Sequence, residues 1–153
     1  FEMPGYAFDR TESRARADWN TLAQIREMWP GKLVVKGVLD REDAVTLKSN
    51  GVDGIQISSH GARQLESAPA PFDVLPDIRE AVGPDFPLFF DSGLRSGEDV
   101  LKVIQSGANF AFFGRLLQFA IAAGGEPGLA RIWDVLSEEM SNAMAQVGLT
   151  EIE

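Results

Sequence analysis

His60 is the single histidine of this 153-residue chain, and Arg63 follows it three residues on. Gly61 and Ala62 leave the ring room. An imidazole exchanges a proton near neutral pH, and a guanidinium grips a carboxylate through two parallel hydrogen bonds. Together the pair suits proton abstraction from a small anionic substrate. Taken singly, His60 also reads as a hydrogen-bonded structural histidine and Arg63 as a surface arginine. Lys36 follows Val34-Val35. It either turns its ammonium into the mouth of a sheet or snorkels at a strand end. Two glycine-bearing loops complete the set. One is Asp91-Ser92-Gly93-Leu94-Arg95-Ser96-Gly97; the other is Gly114-Arg115. Backbone amides of such loops, with a helix N-terminus behind them, suit phosphate. Each loop alone reads equally well as turn punctuation. As neighbours, each with an arginine, they point to a phosphate cradle.

Other chemistries are poorly supported. There is no cysteine, so there is no disulfide framework, no thiolate nucleophile and no Cys-ligated metal. With one histidine and dispersed carboxylates, no metal site is expected. No Gly-x-Ser-x-Gly elbow, Walker-type loop or Gly-x-Gly-x-x-Gly turn occurs. The formal net charge of −9 argues against a nucleic-acid partner. Apolar runs fall well short of the ~20 residues of a membrane helix, so no membrane segment is expected. A cytoplasmic location is the expectation.

These residues need elements to hold them. Residues 1–17 lack periodicity and read as an irregular leading segment. Asp18 caps a helix to about Trp29, stopped by Pro30-Gly31. Leu33-Val34-Val35 reads as a buried strand ending at Lys36-Gly37. Asp40 caps a helix closed by Asn50-Gly51. Residues 54–58 form a strand, 59–71 a long loop, and a helix carries Val74, Leu75, Ile78 and Val82. Strand 87–90 runs into Asp91. Ser96 caps the next helix, and strand 109–113 ends in Gly114-Arg115. A short apolar helix runs to about Ala123, and Pro127 opens a last amphipathic helix.

Four strands thus alternate with helices. Their continuous apolar runs mark strands buried on both faces of a parallel sheet. Four βα units are half of the eight in a (β/α)₈ barrel, whose usual length is ~250 residues. An open doubly wound sheet is the competing architecture. In both, ligands meet the C-terminal strand ends, and here those ends are Lys36, Ser58-Ser59-His60, Asp91-Ser92-Gly93 and Gly114-Arg115.

From about Asp18 onward these motifs, in this order, resemble the C-terminal half of the FMN-dependent L-2-hydroxy acid oxidases and dehydrogenases. The resemblance rests on Lys36-Gly37-Val38, Gly51-Val52-Asp53-Gly54-Ile55, Ser58 through Leu65, Asp91-Ser92-Gly93-Leu94-Arg95, Gly107-Ala108 and Gly114-Arg115. It implies the second half of a TIM barrel over residues 18–153, FMN as cofactor and a small 2-hydroxy acid as substrate. His60 would be the base and Arg63 the substrate-carboxylate ligand. Lys36 would lie near flavin N1 and C2=O, Ser58 on the ring system and Asp91 on the ribityl chain. Ser92, Gly93, Leu94 and Arg95 with Gly114 and Arg115 would complete the cofactor site and hold the phosphate.

Two departures stand out. The family has Asn where this chain has Ser59. Its first half also supplies a tyrosine, a second arginine and an aspartate that orients the histidine, none of which is placed here; Tyr6, the only tyrosine, lies in the leading segment. An open half-barrel implies a homo-oligomer, with its edges covered by the missing N-terminal half or by a second copy. A non-catalytic half-barrel that binds phosphate or oligomerises is the alternative. Another FMN barrel, such as an isomerase, is disfavoured by the Ser58-to-Arg63 string.

Overall fold

The computed structural model describes residues 18–152; the leading segment 1–17, with Tyr6, lies outside them. Contacts divide the chain between Leu33 and Val34 into two compact units. In the first, α1 (Trp19–Met28) begins where the Asp18 carboxylate accepts the Thr21 amide at 2.8 Å. The turn after it is closed by Arg26, which donates to the carbonyls of Trp29 and Gly31.

The second unit carries the sheet: β1 (Val34–Val38), α2 (Arg41–Ser49), β2 (Gly54–Ile57), α3 (Pro71–Val82), β3 (Leu88–Phe90), α4 (Gly97–Gln105), β4 (Phe110–Ala111) and α5 (Arg115–Val147). All neighbouring strands pair parallel, in the order β1-β2-β3-β4. A doubly wound sheet needs a point where strand order reverses. Among the described strands the order never reverses, as in a barrel wall. No helix of the described residues is long and apolar enough to cross a membrane.

Side chains alternate between the two faces of the sheet. Ile55, Ile57, Leu88 and Phe90 are fully buried on one face, with Leu75 and Ile78 of α3 and Ala44 of α2 in the same core. On the other face Lys36, Gln56, Phe89 and Phe110 pair in one row across the strands. Strand β1 continues to Val38, past its expected end at Lys36-Gly37. The register slips between Lys36 and Val38, and Gly37 takes φ +96° as the extra residue. Val38 thereby pairs with Ile57 and stays buried. Strand β4 is shorter than the expected 109–113.

Helix α5 holds both helices expected from the sequence. Gly125 breaks it at φ 59°, ψ −141°, just before Pro127. Its second part locks onto α4. The Gly97 amide donates to the Glu139 carboxylate at 2.8 Å. A β-carbon at Gly97 would stand 2.2 Å from the Leu136 carbonyl oxygen, so only glycine allows this approach. Arg79 makes a second lock with no signal in the sequence. It donates to the carbonyls of Gly83, Phe86 and Gly107 and to the Asn109 side chain, joining α3 to the turns before β3 and β4.

Candidate functional site

The C-terminal ends of β1, β2 and β3 converge on one carboxylate. Asp91 Oδ1 accepts the hydroxyls of Ser58 at 2.5 Å and Ser92 at 2.6 Å. Asp91 Oδ2 accepts Lys36 Nζ and, at 2.5 Å, the Gln56 amide. Lys36 also donates to Ser58 Oγ at 2.7 Å. A carboxylate offers about four acceptor positions, so Asp91 is saturated. Burial raises the cost of its charge. The hydrogen bonds from Lys36, Ser58 and Ser92, with the charge of Lys36, outweigh that and hold its pKa below the ordinary value.

The same hydroxyls reach the turn that carries His60. Ser58 Oγ accepts the His60 amide at 3.0 Å, and Ser92 Oγ accepts the amides of Ser59 and Gly61 at 3.2 and 3.0 Å. Ser58 is the one fully buried polar side chain among the described residues. These bonds fix an unusual backbone. His60, Gly61 and Ala62 all have positive φ, at 55°, 67° and 61°, and Ser92 stands at 84°. Such conformations cost a non-glycine residue about 1–3 kcal/mol and persist only where the surroundings impose them. The expected loop 59–71 thus begins as a tightly held turn. His60 itself is exposed, and its ring lies close over Gly37. No carboxylate among the described residues hydrogen-bonds that ring.

An open cleft of about 700 Å³ lies beside this network. Lys36, His60, Arg63, Asp91, Ser92, Gly93, Leu94, Arg95, Gly114 and Arg115 all line it. Every candidate from the sequence except Ser58 therefore borders one space, and Ser58 is tied to it through Lys36 and Asp91. Ser59 instead lines a second, more apolar cavity of about 540 Å³. Gln56, which reaches Asp91 from β2, was not among the candidates. Its signal was present: it is the polar residue of Gly-Ile-Gln-Ile, two positions before Ser58 and so on the same face.

The half of the cleft expected to bind an anion differs from expectation in one respect. The N-terminus of α4 is filled from within: Ser96 Oγ takes the Asp99 amide, Asp99 the Arg95 amide and Glu139 the Gly97 amide. The amides of Gly93, Leu94, Gly114 and Arg115 have no partner among the described residues. The guanidiniums of Arg63 and Arg95 likewise have none, while Arg115 donates to the Gly61 carbonyl at 3.1 Å. Free amides flanked by free cations suit an anionic tail such as a phosphate.

The family model for FMN-dependent dehydrogenase matches residues 2–153. L-lactate dehydrogenase of Caulobacter sp. (strain K31) is 42% identical over 135 residues, 88% of this chain and 36% of that protein. L-lactate dehydrogenase of Bartonella tribocorum is 44% identical over 130 residues, 85% of this chain and 34% of that protein. The chain thus spans about a third of the length of the curated relatives it matches. Among solved structures, a mandelate oxidase superposes with TM-score 0.81 at 36% identity, over 87% of this chain and 40% of that one. An (S)-mandelate dehydrogenase superposes with TM-score 0.83 at 37% identity, over 88% and 38%. The four parallel βα units are those of the C-terminal half of a TIM barrel. The chain belongs to the FMN-dependent dehydrogenase family.

Proposed function

We propose that this chain carries the FMN site and the proton-transfer residues of an enzyme that oxidises an L-2-hydroxy acid to the 2-oxo acid. One observation carries the reading: His60, Arg63, Lys36 and the free amides of two neighbouring loops border a single cleft. The residues suit FMN. Gly93, Leu94, Arg95, Gly114 and Arg115 would hold its phosphate, and Lys36, backed by Ser58, would meet the ring edge. Asp91 and Ser92 would border the ribityl chain. One solved relative is a mandelate oxidase variant with a monooxide FMN adduct. FMN, when bound, supplies the two-electron acceptor.

The chain's own residues do the rest. Arg63 binds the substrate carboxylate through its guanidinium nitrogens and so fixes which face of the α-carbon is presented. His60 accepts the hydroxyl proton on a ring nitrogen as the carbonyl forms. The hydrogen bonds from the His60 and Gly61 amides to Ser58 and Ser92 hold the ring in place while its charge changes. Lys36 places a positive charge where electron density arrives.

His60→Ala, in the FMN-loaded protein, is expected to keep its flavin and to slow anaerobic bleaching by L-lactate or glycolate about 10²–10⁴-fold. Unchanged bleaching would remove His60 from the reaction. A second reading, an assembling or phosphate-binding module without turnover, draws on the sheet edges. Val34 at the β1 edge is 42% exposed and Phe110 at the β4 edge 54%. Under either reading those edges are covered by further barrel units or a second copy. A monodisperse monomer of this length by light scattering would contradict that. A yellow protein that no hydroxy acid bleaches would favour the module.

A further inference from the structure

Gln56 is a polar side chain in the inner row of the sheet, between Lys36 on β1 and Phe89 on β3. Its amide meets the same oxygen, Asp91 Oδ2, that Lys36 contacts. Oδ1 is already taken by two serine hydroxyls. Two donors therefore share the two acceptor positions of one oxygen, and only one of them carries charge. The more of that oxygen the amide takes, the less the carboxylate neutralises the ammonium.

We propose that Gln56 is a positioning residue that tunes the flavin: by sharing Asp91 Oδ2 it keeps Lys36 from being fully neutralised, so the ammonium acts on the ring. This rests on the FMN reading above and extends it to a residue outside the cleft lining. Without Gln56, Lys36 is the one donor left on Asp91 Oδ2, the local field becomes more negative, and reduced FMN is bound less well relative to oxidised FMN.

The test is the two-electron midpoint potential of FMN in the loaded protein. Gln56→Leu is expected to weaken binding of reduced relative to oxidised FMN about tenfold, a downward shift of ~30 mV for a two-electron couple. In a Lys36→Met background the same substitution is expected to shift nothing further, because the ammonium it acts through is gone. A merely structural role would move the melting temperature in both backgrounds and the potential in neither. If Gln56→Leu folds poorly, Gln56→Met, nearer in length and also lacking the donor, carries the same expectation. An unchanged potential, or a shift that persists with Lys36→Met, overturns the proposal while leaving the FMN reading intact. A wild-type protein that takes up no FMN overturns both.

Discussion

The two parts of the cleft are built on opposite plans. Around Asp91 every acceptor position is filled: four donors from three strand ends meet one carboxylate, and two of those donors in turn hold the turn that carries His60. Around Gly93, Leu94, Gly114 and Arg115 the amides point at nothing in the described chain. The first part must keep strained backbone in place whether or not a ligand is present, so its polar groups satisfy one another. If the second is to recognise an anion, as proposed, its donors must stay open, because a donor already satisfied internally has nothing to gain from one. Substitutions should therefore separate the two: loss of stability in the first part, loss of affinity in the second.

The largest effect is expected at Asp91. Asp91→Ala leaves Lys36, Gln56, Ser58 and Ser92 without their shared acceptor. Lys36, whose side chain is 41% exposed, regains water; the Ser58 hydroxyl cannot. The expected cost is about 2–3 kcal/mol by urea denaturation, with the His60 turn loosened. The pH dependence has a definite sign. The Asp91 carboxyl titrates lower in the folded state than its ordinary 3.8. Its contribution is therefore complete above that value and is lost as pH falls through the lowered folded value. Asp91→Asn should flatten this part of the acid limb of stability. An acid limb as steep as that of the wild type would show that the charge on Asp91 does not hold the turn.

The second effect, at Gly37, tests whether the turn and the strand are matched. A β-carbon there would stand 2.8 Å from His60 Cε1, at a backbone φ of +96°. Gly37→Ala should cost about 1–2 kcal/mol for the conformation alone. It should also displace the imidazole, so that substrate-driven flavin bleaching slows while FMN stays bound. Normal bleaching with lowered stability would mean that the ring simply moves aside.

How much of this was readable beforehand differs between the same two parts. The helix caps at Asp18, Asp40 and Ser96 form where expected, and the four strands announce themselves through local chemistry, although β1 extends to Val38 and β4 is shorter than its apolar run. The candidate residues lie at strand ends, which the parallel topology brings together, so their convergence was legible from order alone. What was not legible depends on register and on distant partners. The bulge at Gly37 appears only when β1 meets β2. Glu139 lies 42 positions from the amide it caps, and no local pattern links them. Arg79 reads as one more helical charge until the turns before β3 and β4 fold onto it. Gln56 was the avoidable omission, because alternation along β2 already put it beside Ser58.

The smallest stability effect, and the sharpest test of the contrast, is at Arg95. Its guanidinium is exposed and unpartnered among the described residues, and it lines the cleft beside the free amides. Removing an unpaired surface cation should change stability by less than about 0.5 kcal/mol. If the cleft binds the phosphate of FMN there, Arg95 supplies a charge-assisted hydrogen bond worth about 1.5–3 kcal/mol, so Arg95→Gln should weaken FMN roughly ten- to a hundredfold. Riboflavin, which lacks the phosphate, should bind the wild type and Arg95→Gln equally. That equality is the decisive arm, because a guanidinium that merely supported the loop would weaken both ligands alike.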